Sequence, residues 1–437
     1  MSERKTQIVV VGGGAAGLGL VRKLGKRYGR DRHDIILIDR NRTHVWKPLL
    51  HEVAAGSLDP NLDEVGYGGH AARWGYRFFN AGLERIDREK RMVTTAPLLD
   101  EDGSVIIDRH EIRYDYLVLA MGGVSNDFGI EGVRENAMFL EDRKQADRFR
   151  QVLLNACLRV NQARARGETA KLPICIVGGG ATGVELSAEL VNSAKALRSY
   201  GLEVFDDSAI ELTLLEAGPR LLPALDEKIS DNVRSELTSL GVDVRTEAMV
   251  SRIEPGRVHI KGADAPLDAK MILWAAGVRG DEAVKGMSDL ELTKLDQIVV
   301  KPTLQTTVDD RIFAIGDCAF CHLPGDARPI PPRAQSAQQM ADCVYDNLER
   351  AQRGQSPKDF VYNDRGSLVS LSRFATIGSL MGNLVGGKMA IEGRIARAAY
   401  MSLYRMHILN VHGWFRGTAQ IVVSKVNQVV RPALKLH

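Results

Sequence analysis

The chain has 437 residues, 44% of them hydrophobic and 26% charged, which excludes a disordered protein. At ~100–200 residues per domain, this length predicts about two to four domains. Five cysteines do not make a disulfide framework, and the polar N-terminus lacks a signal-peptide core. No apolar stretch approaches the ~20 residues that cross a bilayer, so we expect a cytosolic compartment.

The formal net charge of +3 is distributed unevenly. The C-terminal segment (residues 394–437) holds seven basic side chains and no acid, which leaves a body with a net charge of −4. Such asymmetry predicts an anionic partner for this segment, either nucleic acid or a membrane surface.

A strand–glycine turn–helix–strand unit opens the chain. The strand Gln7–Val11 leads into the glycine-rich residues 12–17, and a helix follows to about Tyr28. A second strand, Asp34–Ile38, ends at the acidic residue Asp39. This order is that of a dinucleotide-binding βαβ unit.

The same unit recurs in mid-chain. The strand Pro173–Val177 precedes the glycine-rich residues 178–183 and the helix Val184–Arg198. The second strand, Glu211–Leu215, ends at Glu216. A shorter pattern repeats as well, since the strands Tyr116–Ala120 and Met271–Ala275 are each followed by glycine, and we infer a duplicated nucleotide-binding plan.

The glycines have distinct roles in such a turn. The first permits the tight bend, the second lets the backbone approach a pyrophosphate, and the third lets helix pack on strand. In the first unit we predict these cofactor-binding residues: Gly12, Gly14, Ala16, Gly17, Asp39, Ala120 and Gly122. In the second they are Gly178, Gly180, Gly183, Glu216, Ala276 and Gly277.

The two acids and a later box indicate the ligands. A carboxylate at Glu216 accepts ribose hydrogen bonds and repels a 2′-phosphate, which favours NADH, although nearby Arg220 could soften this selection. Two dinucleotide sites in one chain indicate FAD and a nicotinamide. Asp317, in Ala314-Ile315-Gly316-Asp317, is predicted to bind the FAD ribityl chain, and a helix starting near Arg333–Gln335 to direct its positive end at the flavin.

The duplicated glycine motifs and four stretches together resemble the type II NADH dehydrogenases. The stretches are residues 316–319 (GDCA), 334–339 (AQSAQQ), 46–53 (WKPLLHEV) and 431–437 (RPALKLH). The last two resemble the proteobacterial members. The resemblance implies an α/β fold of two Rossmann-like domains, like that of glutathione reductase. It also implies non-covalent FAD, NADH as substrate, a membrane quinone as acceptor with ubiquinone favoured, no proton pumping, and a homodimer.

The same resemblance implies site residues. Lys47 is included among the FAD-binding residues, and Gln335, Ala337 and Gln339 are assigned to the quinone site. Glu185, Gln335 and Gln339 are the catalytic candidates, Glu185 because the family's glutamate lies near nicotinamide and flavin. From the residues alone, other roles stay open: Gln335 and Gln339 could be solvated glutamines on a helix surface, and Glu185 could be an acid that stabilises the helix dipole.

The C-terminal segment has helical periodicity. Phe415, Ala419, Val422, Val423, Val426, Val429 and Val430 fall on one side, with Arg416, Lys425 and Arg431 elsewhere. We expect an amphipathic helix lying on the lipid bilayer at the cytoplasmic face of the inner membrane, as a peripheral or monotopic protein. A helix that faces the protein core is the alternative. Binding of nucleic acid is less consistent with the pattern, because an apolar stripe does not bind phosphates.

The predicted domains are residues 1–140 with 280–353 for FAD, 141–279 for NADH, and 354–437 for quinone access and membrane anchoring. Three other functions stay open: a sulfide:quinone reductase, a soluble reductase acting on ferredoxin or disulfides, and a non-catalytic NADH sensor. Cys343 lies on the Gln335–Gln339 stripe, and Cys318 and Cys321 form a CxxC pair that we interpret as structural. No histidine spacing indicates a metal, so we predict none.

Overall fold

The computed structural model describes residues 4–59, 61, 64–197, 200–326, 328–371, 375–380 and 389–430. The chain divides into two compact units. The first unit comprises Met1–Trp46, Glu64–Val124 and Val278–Asp364, and the second comprises Lys47–Asp63, Ser125–Gly277 and Arg365–His437. Helices and strands are numbered below in chain order.

The strands of the first unit, with β12 at its border, are β1 (Thr6–Val11), β2 (His33–Asp39), β3 (Thr43–His44), β4 (Val65–Gly66), β5 (Arg77–Asn80), β6 (Leu83–Asp87), β7 (Met92–Thr95), β8 (Leu98–Leu99), β9 (Val105–Ile107), β10 (Glu111–Arg113), β11 (Tyr116–Leu119), β12 (Val124–Ser125), β20 (Val278–Arg279), β21 (Ile298–Val300), β22 (Ile312–Ala314) and β23 (Ala319–Cys321). Its helices are α1 (Gly17–Arg32), α3 (Tyr67–Trp74), α8 (Val284–Met287) and α9 (Ala334–Gln352), and Gly316–Cys318 is a 3-10 turn.

A five-stranded sheet in the order β22-β11-β1-β2-β5 forms the centre of the first unit, and its strand pairs are all parallel. The apolar runs of β1 and β2 are buried, as expected of strands covered on both faces. Helix α1 leaves helical geometry at Gly29 (φ 59°), one residue beyond the predicted end.

The strands of the second unit are β13 (Leu172–Val177), β14 (Ile210–Leu215), β15 (Asp243–Arg245), β16 (Val250–Glu254), β17 (Arg257–Ile260), β18 (Leu267–Asp268), β19 (Met271–Trp274), β24 (Gly366–Leu371), β25 (Ala375–Leu380) and β26 (Met389–Glu392). Its helices are α2 (Leu50–Ala55), α4 (Val133–Asn136), α5 (Arg143–Ala165), α6 (Ala181–Leu197), α7 (Glu227–Ser239), α10 (Gly393–His412) and α11 (Trp414–Val430), with 3-10 turns at Lys47–Leu49 and Asp207–Ala209.

The second unit repeats the plan of the first. Its parallel sheet has the order β15-β14-β13-β19. Strand β13, which precedes the glycine turn, lies between β14 and β19, just as β1 lies between β2 and β11 in the first unit. The duplication expected from the sequence is therefore present in both sheets. Each turn consequently lies at the carboxyl edge of its own sheet, where nucleotides bind in such folds.

The segment Lys47–Asp63 belongs to the second unit, although the predicted scheme placed it within residues 1–140. The physical reason is that α2 packs on α5 and α6. The Ser193 hydroxyl on α6 also donates to the carbonyl of Ala55 at 2.9 Å. The division of the chain by ligand remains a prediction.

The second unit ends in the antiparallel sheet β24-β25-β26, followed by α10 and α11. Helix α11 has the extent that the periodicity predicts, and Gly417 allows it to approach Leu409 of α10 closely. Residues 431–437, which carry Arg431 and the closing motif, lie outside the described residues. Among the helices that the structure describes, every one is too short or too polar to span a membrane.

Candidate functional site: two dinucleotide cradles

The first glycine turn has the geometry of a phosphate cradle. Gly12 has a φ of 100°, and a Cβ there would lie 2.3 Å from the carbonyl oxygen of Ala120. A Cβ on Gly17 would lie 1.9 Å from the carbonyl oxygen of Gly12, so that glycine allows helix and strand to meet. Gly14, in contrast, faces open space, which leaves room for a pyrophosphate against the backbone.

Asp39 is held in place by this turn. Its carboxylate accepts hydrogen bonds of 2.7 Å from the amides of Gly13 and Asn41. The Tyr67 hydroxyl donates to the Gly13 carbonyl at 2.9 Å, and burial together with Asp39 raises the pKa of Tyr67 well above its ordinary value. A carboxylate has lone pairs beyond these two bonds, so Asp39 can still accept from ribose hydroxyls.

A second part of the first unit surrounds Asp317. Gly316 (φ 74°) opens the 3-10 turn that carries Asp317, whose carbonyl accepts a 3.0 Å hydrogen bond from the Gln297 amide. Gly122 has a φ of 74° and faces open space. Ala120, which is buried, donates its amide to Val11 at 2.7 Å and so joins this part to β1.

Helix α9 begins at Ala334, within the predicted start. Its N-cap, Arg333, makes no side-chain cap, and its first turn has no acid. Amide groups at such an end remain available to an anionic or electron-rich group. Together with the open sides of Gly14 and Gly122, this geometry fits FAD.

The second glycine turn repeats the first. Gly178 has a φ of 118°, and a Cβ there would lie 2.8 Å from the backbone of Ala275. A Cβ on Gly183 would lie 2.0 Å from the carbonyl oxygen of Gly178, whereas Gly180 faces open space. Gly277 (φ 69°) lies beside Phe128 and Asn126, next to Ala276 after β19.

Glu216 occupies the position that Asp39 occupies in the first unit. Its two carboxylate oxygens accept hydrogen bonds of 2.7 Å from the amides of Gly179 and Gly218. Arg220 donates to the carbonyl of Pro223 at 3.1 Å. The arginine that could have admitted a 2′-phosphate is therefore engaged with the backbone, and the geometry fits NADH.

Glu185 is buried on α6 with two polar neighbours that the sequence does not indicate. Its Oε1 accepts a 2.9 Å hydrogen bond from the amide of Ser370. Its Oε2 lies 3.7 Å from Nδ1 of His51, whose side chain is also buried. Glu189, one helical turn later, is buried as well and contacts Asn192 at 3.4 Å.

The glutamines of α9 share one side of the helix, as predicted. Both contact residues 363–364, where the last segment of the first unit ends. The Gln335 amide donates to Asp364 at 3.2 Å. The Gln339 side chain both donates to the Asn363 carbonyl and accepts from its amide, at 3.0 Å each. Ala337 is buried, with its Cβ 3.5 Å from where a Gly316 Cβ would lie, so this turn adjoins the Asp317 box.

The cysteines lie in positions that disfavour thiol chemistry. All five are free, and the Cys318 thiol donates to the Ile315 carbonyl at 3.3 Å. Burial raises the pKa of Cys318 and of Cys321 to about 11, and that of Cys343 to about 12. Thiols with these pKa values are protonated near neutral pH and are weak nucleophiles.

Lys47 begins the 3-10 turn of the second unit, so its assignment to FAD remains a prediction. Within the described residues, no three potential ligands from His, Cys, Asp and Glu come together to form a metal site.

Comparison with known proteins decides the family. The pyridine nucleotide-disulphide oxidoreductase model matches residues 6–341. The type II NADH:quinone oxidoreductase of Haemophilus influenzae is 42% identical, over 98% of this chain and 99% of that protein. The chain belongs to the type II NADH:quinone oxidoreductase family.

Other similarities agree with this family. A Staphylococcus aureus type II NADH:quinone oxidoreductase is 32% identical over 89% of this chain and 93% of its own. The solved structure of NDH2 from Plasmodium falciparum in complex with NADH has a TM-score of 0.81, covers 99% of this chain and 100% of its own, and at 18% identity shows the shared fold. The predicted family, the α/β fold and the class of FAD-dependent enzyme using NADH are confirmed.

Sequence reasoning missed the partners of the predicted residues in this member of the type II family. Tyr67 on the Gly13 carbonyl, His51 beside Glu185, and Asn363 on Gln339 are all distant in sequence from the groups they contact. His51, within the stretch 46–53, is the one local signal that could have indicated a titratable neighbour of Glu185.

Proposed function

We propose that this chain transfers two electrons from NADH, through non-covalently bound FAD, to a membrane quinone at the bilayer surface, without pumping protons. The observation that carries the proposal is the pair of matching cradles. Each has an open glycine for a pyrophosphate and an acid held by an amide of its own glycine turn.

FAD is assigned to the first unit and NADH to the second. Bound FAD supplies the chemistry that accepts a hydride and releases electrons. The chain's own residues bind and orient: Asp39 accepts from one ribose and Asp317 holds the ribityl chain. The uncapped end of α9 favours negative charge on the flavin. Glu216 accepts from the NADH ribose and selects against NADPH.

Quinone is assigned to the first turns of α9, with the stripe of Gln335 and Gln339 and the buried Ala337. Support comes from Ala337, which adjoins the Asp317 box within the same unit. A glutamine amide can serve both the carbonyl and the hydroxyl form of a quinone head group. Because Gln339 is engaged twice by Asn363, we assign the direct contact to Gln335, which exchanges its hydrogen bond with Asp364 for one to quinone.

A matched pair of variants tests this assignment. Gln335→Leu removes the amide on the stripe, whereas Gln338→Leu makes the same change elsewhere on α9. We expect Gln335→Leu to raise the KM for a water-soluble quinone about tenfold, the effect of losing one useful hydrogen bond. NADH-dependent flavin reduction should be unchanged. Equal effects of both variants would contradict the assignment.

The lipid surface is assigned to α11. The described part of its apolar stripe faces outward: Phe415 is 90% exposed, and Val422 and Val423 are each 56% exposed. Trp414, at the start of the helix, is 72% exposed. This pattern supports a helix lying in the headgroup layer, with the segment's seven basic residues attracting anionic lipids.

Location and assembly follow from the same proposal. The protein lies on the cytoplasmic face of the inner membrane as a peripheral or monotopic protein, and it forms the homodimer expected from the family resemblance. Sedimentation in mild detergent tests the dimer, since a single species of monomer mass would contradict it.

A further inference from the structure

Three acidic or basic side chains of the second unit form a row from the surface to the interior. The side chain of Glu52 is 27% exposed, that of His51 is 4% exposed and that of Glu185 is 8% exposed. The His51 ring lies between the two carboxylates. Its Nε2 is 3.9 Å from Oε1 of Glu52, and its Nδ1 is 3.7 Å from Oε2 of Glu185.

We propose that His51 relays a proton between the partly exposed carboxylate of Glu52 and the buried carboxylate of Glu185. This inference rests on the proposed function and deepens the role of Glu185. His51 acts through Glu185 and is not itself assigned a contact with substrate or cofactor. Both gaps close to hydrogen-bond distance if the glutamate side chains move by about 1 Å.

The overall reaction needs such a path. NADH delivers a hydride, which brings two electrons and one proton, whereas reduction of a quinone to a quinol consumes two electrons and two protons. One proton per turnover must therefore come from water. A partly exposed acid followed by two buried titratable groups is a suitable entry path for it.

The step balances without any electron transfer. The O–H bond of protonated Glu52 breaks as its proton binds Nε2 of His51, and the Nδ1–H proton passes to the carboxylate of Glu185. The imidazole ends as the other neutral tautomer, and a half-turn of the ring about the Cβ–Cγ bond then presents its N–H to Glu185 and its unprotonated nitrogen to Glu52 for the next transfer. Neutral imidazole can take up a proton at one nitrogen while it releases a proton from the other, whereas a carboxamide only donates and accepts hydrogen bonds and an aliphatic side chain does neither.

The surroundings keep the imidazole in this neutral form. Burial lowers the pKa of His51 to about 4, while Glu189 and a hydrogen bond with the Pro48 backbone oppose the shift. A neutral histidine does not form a permanent ion pair with Glu185. The same group is therefore available to pass protons at neutral pH.

Few charged groups of the neighbouring elements face His51. From α6, Glu185 and Glu189 face this region, and β24 (Gly366–Leu371) has no charged side chain and contributes the Ser370 amide. The buried side chains of α5 are all apolar. Among its charged residues, Arg143 and Arg150 pair with Asp147, and Arg164 pairs with Asp206.

The test uses the full-length FAD-loaded protein in four variants, of which His51→Ala serves for rescue by imidazole. His51→Gln keeps the size and hydrogen bonding of the site but cannot shuttle a proton. Glu52→Gln changes the outer end, where partial exposure makes misfolding a small risk. His70→Gln is the matched control, because His70 is a buried histidine in the first unit that contacts the Tyr76 hydroxyl at 2.8 Å. Turnover with NADH and a water-soluble quinone is measured against pH, in H₂O and in D₂O.

We expect His51→Gln and Glu52→Gln to lower turnover about tenfold or more, the scale of a lost proton-transfer group. Their rates should fall as pH rises, and their solvent isotope effects should exceed that of the wild type. Added imidazole should partly restore His51→Ala. The KM for NADH and the FAD content should stay constant, and His70→Gln should match the wild type in pH profile and isotope effect.

Two results would overturn the relay: wild-type turnover in His51→Gln, or a loss of turnover with an unchanged pH profile, an unchanged isotope effect and no rescue by imidazole. The second result would mean that His51 only supports the fold. Failure of the wild-type protein to reduce quinone would instead overturn the proposed function, and the relay with it.

Discussion

The Glu216 carboxylate accepts a 2.7 Å hydrogen bond from the backbone amide of Gly179, the middle of the three consecutive glycines of the second turn. Asp39 accepts one of the same length from Gly13 in the first turn. The acid that we assign to each ribose is therefore fixed by the turn that we assign to the phosphates, so the account predicts that ribose and phosphate recognition are coupled in each unit.

The first prediction concerns this coupling. Glu216→Gln should raise the KM for NADH about tenfold and narrow the preference for NADH over NADPH, because it removes a charged acceptor and the repulsion of a 2′-phosphate. Steady-state kinetics with both nucleotides measure the change. Asp39→Asn is the matched control: it should weaken FAD retention and leave the preference between nucleotides intact. A preference altered equally by both variants would contradict the assignment of the two units.

The second prediction separates ligand binding from folding. Gly14→Ala places a methyl group in open space, so the protein without FAD should keep its thermal stability while its affinity for FAD falls tenfold or more. Gly180→Ala should leave FAD in place and raise the KM for NADH. In Gly17→Ala, the methyl group would lie 1.9 Å from the Gly12 carbonyl, and unfolding should occur at lower temperature even without ligand. Calorimetry and flavin absorbance together distinguish these outcomes.

The third prediction concerns the bilayer. Val422→Asp should weaken binding to anionic lipid vesicles about tenfold or more, because the charge replaces an apolar side chain that would be buried among lipids. Flavin reduction by NADH should be unaffected. Gln420→Glu adds the same charge on the polar side of α11 and should have a much smaller effect. Vesicle flotation that does not differ between the two variants would count against the outward stripe as the lipid contact.

The fourth prediction concerns the thiols. Because the pKa of Cys343 is about 12, its thiol stays protonated through neutral and mildly alkaline pH and becomes a thiolate only as pH rises towards that value. Cys343→Ser should therefore retain NADH:quinone turnover within about twofold. Sulfide should not substitute for NADH as electron donor. Collapse of activity in Cys343→Ser would favour sulfur chemistry of the sulfide:quinone reductase kind.

Local signals in the sequence were enough for several elements of this fold. The glycine spacing and the terminal acid indicated both turns, since the first and the last glycine of each turn leave no room for a Cβ. The start of α9 at Ala334 and the extent of α11 also followed from local patterns. Helix α5 begins at Arg143, where the Asp142 side chain accepts a 2.9 Å hydrogen bond from the amide of Gln145 and caps the helix.

What the sequence did not predict depends on contacts between distant residues. The segment Lys47–Asp63 joins the second unit through packing on α5 and α6, which no local periodicity encodes. The approach of His51 to Glu185 spans 134 positions. The two hydrogen bonds between the Gln339 side chain and the Asn363 backbone likewise depend on where a loop returns to the helix. The local sequence therefore predicts a Gln339 side-chain amide that is free to bind a ligand, whereas the structure engages it.

The most direct test of the central claim is an anaerobic two-step measurement on the full-length, FAD-loaded protein. NADH is added first while flavin absorbance is followed, and a quinone analogue is added second. The account predicts that NADH bleaches the flavin and that quinone restores it, with quinol formed in an amount equal to the NADH consumed. A flavin that NADH reduces but that quinone leaves reduced would contradict the account.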